Sequence, residues 1–591
     1  MRYNLIRSAF EAGLFLASLA SANPIRSLDT RTDCGTHGPT NRACWNGKYT
    51  IDSDYETNVP NTGKTREFDL YITNHTDFSP DGVFKTTMLI NGQFPGPTIE
   101  ADWGDFVKIT VHNQLENNGT SIHWHGMHQR NTNDQDGANG VTECPIAPGQ
   151  KKTYSYQMIQ YGTSWYVSVP LLKIYGNGVV GTIQINGPAS ADYDIDLGPY
   201  AISDWYHDTA DNLERRAELA GLLAGPPPDS QNVLFNGKGV NALGGGEYQK
   251  TKLTPGKKHR LRLINTSVDN TFTVSLAGHS FTVIATDLVP VKPVVKDSLF
   301  LSVGQRYDVI IEANQEVENY WFNATLSATG LCGTSEVDLP ASIFTYEGAA
   351  DGLPTQPGTP IEAGCADTVG FEPIVTRLPP SSEFTPHKNI LDVNLTTPEV
   401  YGQPVFRWTV NGHSMDIEWD KPTLTYVAEK NYTFMERANV VDLDSKDKWT
   451  WWVIQNDHLL PHPIHLHGHD FLLLGIGDGS FLDSNPPVTN GTGPYATTTH
   501  PNLNFHNPIR RDVAVLPASG WMVIAFKTDN PGAWLMHCHI AWHVSMGLSV
   551  QFLERKDEIA HTMQLEELQP TCKGWKDYYP TSFYPKHDSG L

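Results

Sequence analysis

The sequence predicts an all-β protein, built as β-sandwich or barrel domains in tandem. Three observations carry this. Short runs alternate apolar and polar residues, as in Phe106-Val107-Lys108-Ile109-Thr110-Val111 and Tyr307-Asp308-Val309-Ile310-Ile311, the pattern of half-buried strands. Gly, Pro and Asn punctuate those runs, as in Asn91-Gly92-Gln93-Phe94-Pro95-Gly96-Pro97, which is turn chemistry. Helical stretches are few; the best runs from Asp211 to Leu223 and stops at Gly225-Pro226-Pro227-Pro228, since proline cannot continue a helix.

In chain order, the first element is a leader. Basic Arg2 and Arg7 precede an apolar stretch from Ala9 to Ala20, interrupted by Glu11 and ending in Ala20-Ser21-Ala22. Residues 1–22 therefore read as a signal peptide, and 23–31 as a short propeptide ending at Arg31. No later run of about 18 apolar residues exists to span a membrane. Seven Asn-x-Ser/Thr sequons, at Asn74, Asn118, Asn265, Asn323, Asn394, Asn431 and Asn490, agree with secretion. Composition shifts at Asn186 to Ser190 and along the Pro-, Gly- and Thr-rich stretch Gly348 to Ser382 mark boundaries. They divide the rest into 32–188, 189–375 and 376–591, each long enough for a sandwich.

The 591 residues carry 42 Lys+Arg against 65 Asp+Glu, a net charge of −23. Such a surface repels nucleic acid and anionic membranes. The cysteine count, 7, is odd, which in a secreted chain leaves one thiol to explain.

Three segments concentrate the histidines: His123-Trp124-His125-Gly126, His462-Pro463-Ile464-His465-Leu466-His467-Gly468-His469, and His537-Cys538-His539-Ile540-Ala541-Trp542-His543. In a strand, His-x-His aims two imidazoles to one side. The same rule turns Cys538 away from its flanking histidines while keeping it covalently joined to both. Imidazoles with one thiolate suit copper, and Cys538, His462 and His543 make a His₂Cys trigonal set. Structural zinc prefers closed, Cys-rich sets. The weak axial ligand of such a copper is usually Met; ten residues after Cys538 stands Leu548, with Met546 two residues off. Leucine cannot ligate, and an apolar three-coordinate site favours Cu(I) and a raised potential. His123, His125, His465, His467, His537 and His539 then serve a second, multinuclear site, with the peptide from Cys538 to His537 or His539 as the electron path. His128, His413, His458 and His469 remain unassigned, as structural or solvated residues.

These segments resemble the multicopper oxidases, specifically laccases of the ascomycete type. The resemblance covers nearly the whole mature chain, including Asn91 to Thr98, Asn133 to Pro148, Gly176 to Pro188, Gly304 to Asp308 and the ending Asp588-Ser589-Gly590-Leu591. It implies three cupredoxin-like domains and four coppers: one type 1, one type 2 and two type 3. It implies one-electron oxidation of phenols or aromatic amines, lignin phenols and pigment precursors among the candidates, coupled to four-electron reduction of O₂ to water. By motif position it makes Cys538, His462 and His543 type 1 ligands, His123 and His465 type 2 ligands, and His125, His467, His537 and His539 type 3 ligands. It makes Asp136 the carboxylate that assists proton delivery, the exposed edge of His462 the point of electron entry, and Glu247 a weak candidate for accepting the substrate's proton. It pairs Cys34 with Cys44, Cys144 with Cys572 and Cys332 with Cys365, and makes the C-terminal residues a plug in the solvent channel. A secreted monomer is the expected state.

One copper segment departs from the family. After Trp165-Tyr166 the expected second His-x-His is Val167-Ser168-Val169. Each type 3 copper would lose one of three imidazoles, and valine has no lone pair to replace it. The contiguous change, with normal flanks and about one residue of altered length, favours an intron-boundary or frame error in gene prediction, or a splice variant. The alternative is an extracellular copper-binding, electron-accepting protein with a degraded trinuclear cluster and no O₂ reduction.

Overall fold

The structure, a computed structural model, describes residues 33–168, 172–219, 228–358, 361–384, 389–484, 502–583, 586 and 588–591. The expected signal peptide and propeptide, Val169 and the sequon at Asn490 lie outside the described residues.

Six main sheets pair into three sandwiches, and none closes into a barrel among the described residues. In the first, Lys85–Ile90, Thr65–Phe78, Phe106–Asn113 and Lys151–Gln157 oppose Gly96–Asp102, Val180–Asn186, Gly162–Val167 and His123–Trp124. The second packs the six-stranded sheet around Lys258–Asn265 and Arg306–Glu312 on a five-stranded one around Asn319–Thr325. The third packs the six-stranded sheet around Trp449–Asn456 and Gly520–Lys527 on a five-stranded sheet that contains His462–Leu466, Val513–Leu516 and Gly532–Cys538.

Alternation explains the outer strands. In Phe106–Asn113, Val107, Ile109 and Val111 are buried while Phe106 and Lys108 face solvent. In Lys258–Asn265 every residue after the first is buried. Leu261 and Leu263 enter the apolar core, whereas Arg262 points to the seam with the first domain, donating to Thr163 Oγ1 at 3.0 Å and to Asp196. The second domain has its own core. The cores of the first and third merge into one, running from Trp45 through Trp124, Ile464 and Leu535 to Leu591. The Cys144–Cys572 bridge, spanning 428 residues, ties these two domains. Cys34–Cys44 and Cys332–Cys365 are also bonded, and Cys538 is the buried free cysteine.

Three expectations change. The helix ends early, at Ala210–Glu218, because Leu219 already has extended dihedrals. The stretch after Gly348 is a strap more than a loose linker: Phe371 joins the second core, and the Asp367 carboxylate accepts from Gln305 Nε2 at 2.6 Å and the Val515 N–H at 2.8 Å. Asn265 is fully buried, its amide donating to the Asn270 and Leu301 carbonyls. Asn118 and Asn323 are buried too, leaving Asn74, Asn394 and Asn431 as exposed sequons among the described residues.

Candidate copper centres

Strand pairing brings the histidine segments together. His462–Leu466 lies beside Gly532–Cys538 with His465 opposite His537. His537 and Cys538, adjacent in one strand, face opposite ways.

On one side, His462 Nδ1 and His543 Nδ1 stand 3.1 Å apart, and the Cys538 sulfur lies 3.6 and 3.5 Å from them. A triangle of that size suits an ion about 2.0–2.3 Å from each ligand. Burial pushes the Cys538 thiol well up, so a metal must displace its proton. The Leu548 carbonyl accepts the Cys538 N–H and its N–H donates to the His543 carbonyl, so backbone bonds tie it to two of the three residues. Met546 lines a neighbouring cavity.

On the other side six imidazoles converge. His125 Nδ1 and His539 Nε2 are 3.2 Å apart, and His467 Nε2 and His537 Nε2 3.3 Å. His123, His465 and His467 form a further compact group. His123 Nε2 and His465 Nε2 are buried without a hydrogen-bond partner. Such orphans cost roughly 1–3 kcal/mol each, and a metal ion would satisfy them. Burial, reinforced by neighbouring imidazoles, holds His467 down to about 4. Burial likewise lowers His539 and His543 to about 3, and His125, His462, His465 and His537 well below their ordinary value. Neutral rings keep the lone pairs a metal needs.

Two carboxylates orient these rings. Asp136 is buried between them: Oδ2 accepts from His467 Nδ1 at 2.8 Å, and its backbone carbonyl from His123 Nδ1 at 3.0 Å. Burial alone would raise its carboxyl, but those two imidazoles hold it well below the usual range. Asp512, which sequence reasoning missed, accepts from His125 Nε2 at 3.2 Å, and its backbone carbonyl from His465 Nδ1 at 2.8 Å. Arg306 clamps the same carboxylate with two bonds of 2.6 Å. Its one sequence signal is the run Arg510-Arg511-Asp512 directly before apolar Val513.

Val167 ends Gly162–Val167, is buried, and pairs with His123 across the sheet. Cross-strand partners share a face, so an apolar side chain occupies the face that carries the His123 ring.

Two expectations need correction. His462 is fully buried, and it is His543 that lines the cavity beside the thiolate centre, about 300 Å³ with Phe406, Trp408, Leu460 and Trp542 in its wall. Glu247 lies elsewhere, exposed on the second domain and paired with Lys238 at 2.6 Å, where its N–H donates to the Gly239 carbonyl across a tight turn. Nearer the cavity is Asp269, buried beside Trp542, its carboxyl raised to about 7 by burial and by Asp204. The C-terminal residues are ordered: Ser589 bonds to Ser545 and Ile417, Trp419 Nε1 donates to the Gly590 carbonyl at 2.8 Å, and Leu591 is buried.

Sequence profiles described as multicopper oxidase match residues 198–349, 408–558 and 72–190. The chain belongs to the multicopper oxidases. It is 50% identical over 571 residues to a laccase of Neurospora crassa, covering 94% of this oxidase and 89% of that protein. It is 50% identical to laccase-2 of Podospora anserina, over 94% and 90% of the two chains. The laccase structure from Botrytis aclada superposes with a TM-score of 0.84 at 37% identity, covering 94% of this oxidase and 100% of that chain. The oxidase is therefore of the laccase type, with three cupredoxin-type domains and copper as its cofactor. No helix among the described residues is long and apolar enough to cross a membrane.

Proposed function

We propose that the chain oxidises phenols and aromatic amines one electron at a time beside His543 and returns the electrons to O₂, giving water. Cys538, His462 and His543 would hold the type 1 copper, and His123 and His465 the type 2. The pairs His125/His539 and His467/His537 would hold the type 3 coppers. Bound copper supplies the one-electron acceptor and the site of O₂ reduction. The observation that carries this reading is Cys538 itself: its sulfur faces the His462/His543 pair while the rings of its chain neighbours, His537 and His539, face the other cluster. From Cys538 the chain thus offers a covalent path of one residue to either imidazole.

The rest is positioning. Asp136 and Asp512 accept the outward N–H of four rings and so fix which nitrogen faces the metal. Asp136, buried and accepting from His467 Nδ1, is the carboxylate placed beside the cluster to relay protons inward. The cavity's aromatic wall excludes water around a planar substrate. The leader-like N-terminus, three disulfides and exposed sequons support secretion as a soluble monomer. The test is anaerobic mixing of copper-loaded protein with a phenol. Loss of the blue absorbance, and its return with O₂ uptake on aeration, is expected; a blue protein that phenols do not bleach would overturn the proposal.

A further inference from the structure

We infer that His458 is a substrate-positioning residue that donates a hydrogen bond from Nε2 to the phenolic oxygen and favours the phenolate form of the substrate. This rests on the reading of the cavity beside His543 as the phenol site.

Among the described residues the cavity wall has no carboxylate. Its ionisable lining side chains are two imidazoles, His458 and His543. Asp269 sits beside Trp542 without lining the space. The ring of Trp408 contacts both imidazoles, with centroids 5.0 Å from His458 and 4.8 Å from His543. A phenol lying along that wall reaches the two rings together.

The tautomer follows from the local bonds. His458 Nδ1 accepts the Leu460 N–H at 3.4 Å, so the neutral ring carries its proton on Nε2. No protein partner takes that proton among the described residues. Burial lowers the ring's basicity, which keeps it a neutral donor. The loop is held firmly. Asn456 accepts the His458 N–H at 2.9 Å and donates to the Leu460 and Pro517 carbonyls at 2.8 and 2.9 Å, while the Ser519 N–H donates to the His458 carbonyl at 2.7 Å. A preorganised donor loses little on binding.

The chemistry balances simply. The phenol gives its proton to solvent at the cavity mouth as its oxygen takes the Nε2–H bond. Copper held by Cys538, His462 and His543 would supply the one-electron acceptor, so the phenolate beside His543 would leave as a phenoxyl radical. A hydrogen bond to a charged oxygen is stronger than one to a neutral hydroxyl, so the donor favours the species that oxidises more readily.

The probe is 4-nitrophenol, whose phenolate is coloured and whose nitro group makes it a poor electron donor. Bound to the holoenzyme, it should ionise at a pH about one unit lower than when free. His458→Phe should abolish that shift, and His458→Gln, which keeps an N–H donor, should restore part of it. Stopped-flow reduction of the blue centre by phenols should slow roughly tenfold in His458→Phe, while reduction by ferrocyanide, which loses no proton, stays unchanged. An unshifted nitrophenol in the parent protein, or equal slowing with both donors, would overturn the inference. Failure of phenols to bleach the parent protein would instead remove the phenol-site reading.

Discussion

The two centres share imidazole chemistry but differ in where their ligands come from. The Cys538 centre draws all three ligands from the third domain: His462 and Cys538 stand on paired strands of one sheet, and His543 on the short helix that follows. The six-imidazole cluster is assembled across the merged core of the first and third domains, and Arg306 of the second clamps one of its orienting carboxylates. Val167 pairs with His123 of the second of these. A centre made within one domain tolerates a change elsewhere; one made at an interface depends on every segment that reaches it.

The largest effect should come from breaking the self-contained centre. Cys538→Ser should abolish the intense blue absorbance and anaerobic reduction by phenols, read in one spectrum. Next is repair of the interface centre: Val167→His with Val169→His should raise bound copper toward four per chain and O₂ uptake by about a hundredfold or more, with the blue band unchanged. Copper analysis and an oxygen electrode check this. A transcript encoding Val-Ser-Val would sink the gene-prediction reading.

Asp512→Ala should then destabilise the fold by about 3–5 kcal/mol, because Arg306 loses a buried partner; thermal unfolding measures it. Asp136→Asn should slow O₂ uptake by about 10–100-fold while leaving type 1 reduction by phenols intact, separating the two centres kinetically.

A last test is the pH dependence of the copper-free protein. Burial lowers His467 to about 4 and His539 and His543 to about 3. In the unfolded chain these rings protonate near pH 6.5, so over the interval between these values the unfolded state binds more protons. Stability is full above about 6.5 and is lost as pH falls toward 3–4. Melting temperature against pH should show this slope, and copper loading should raise the whole curve without flattening it, since metal-bound rings take up no protons either.

Much of this was legible because it is local. Period-2 alternation within one strand set Cys538 against His537 and His539, and a Cys-His spacing of five brought His543 back to the sulfur. The absent His-x-His was visible as a string of letters. What escaped reading was determined by partners far away in sequence. Asp512 matters because His125, 387 residues earlier, and Arg306 meet it.

The same distinction separates the two rings of the thiolate centre. Sequence names His462 and His543 alike, yet one is sealed inside and the other lines the apolar cavity. Glu247 was displaced by a hairpin whose direction no short motif encodes. The sequence by itself determined the all-β class and the copper-suited residue types, because periodicity and donor chemistry act over a few residues, and its resemblance to the family exposed the missing His-x-His. Only the tertiary structure decided which imidazole borders the cavity, which carboxylates orient the rings, and that His458 keeps an unclaimed donor among the described residues, because burial is set by what packs from other domains.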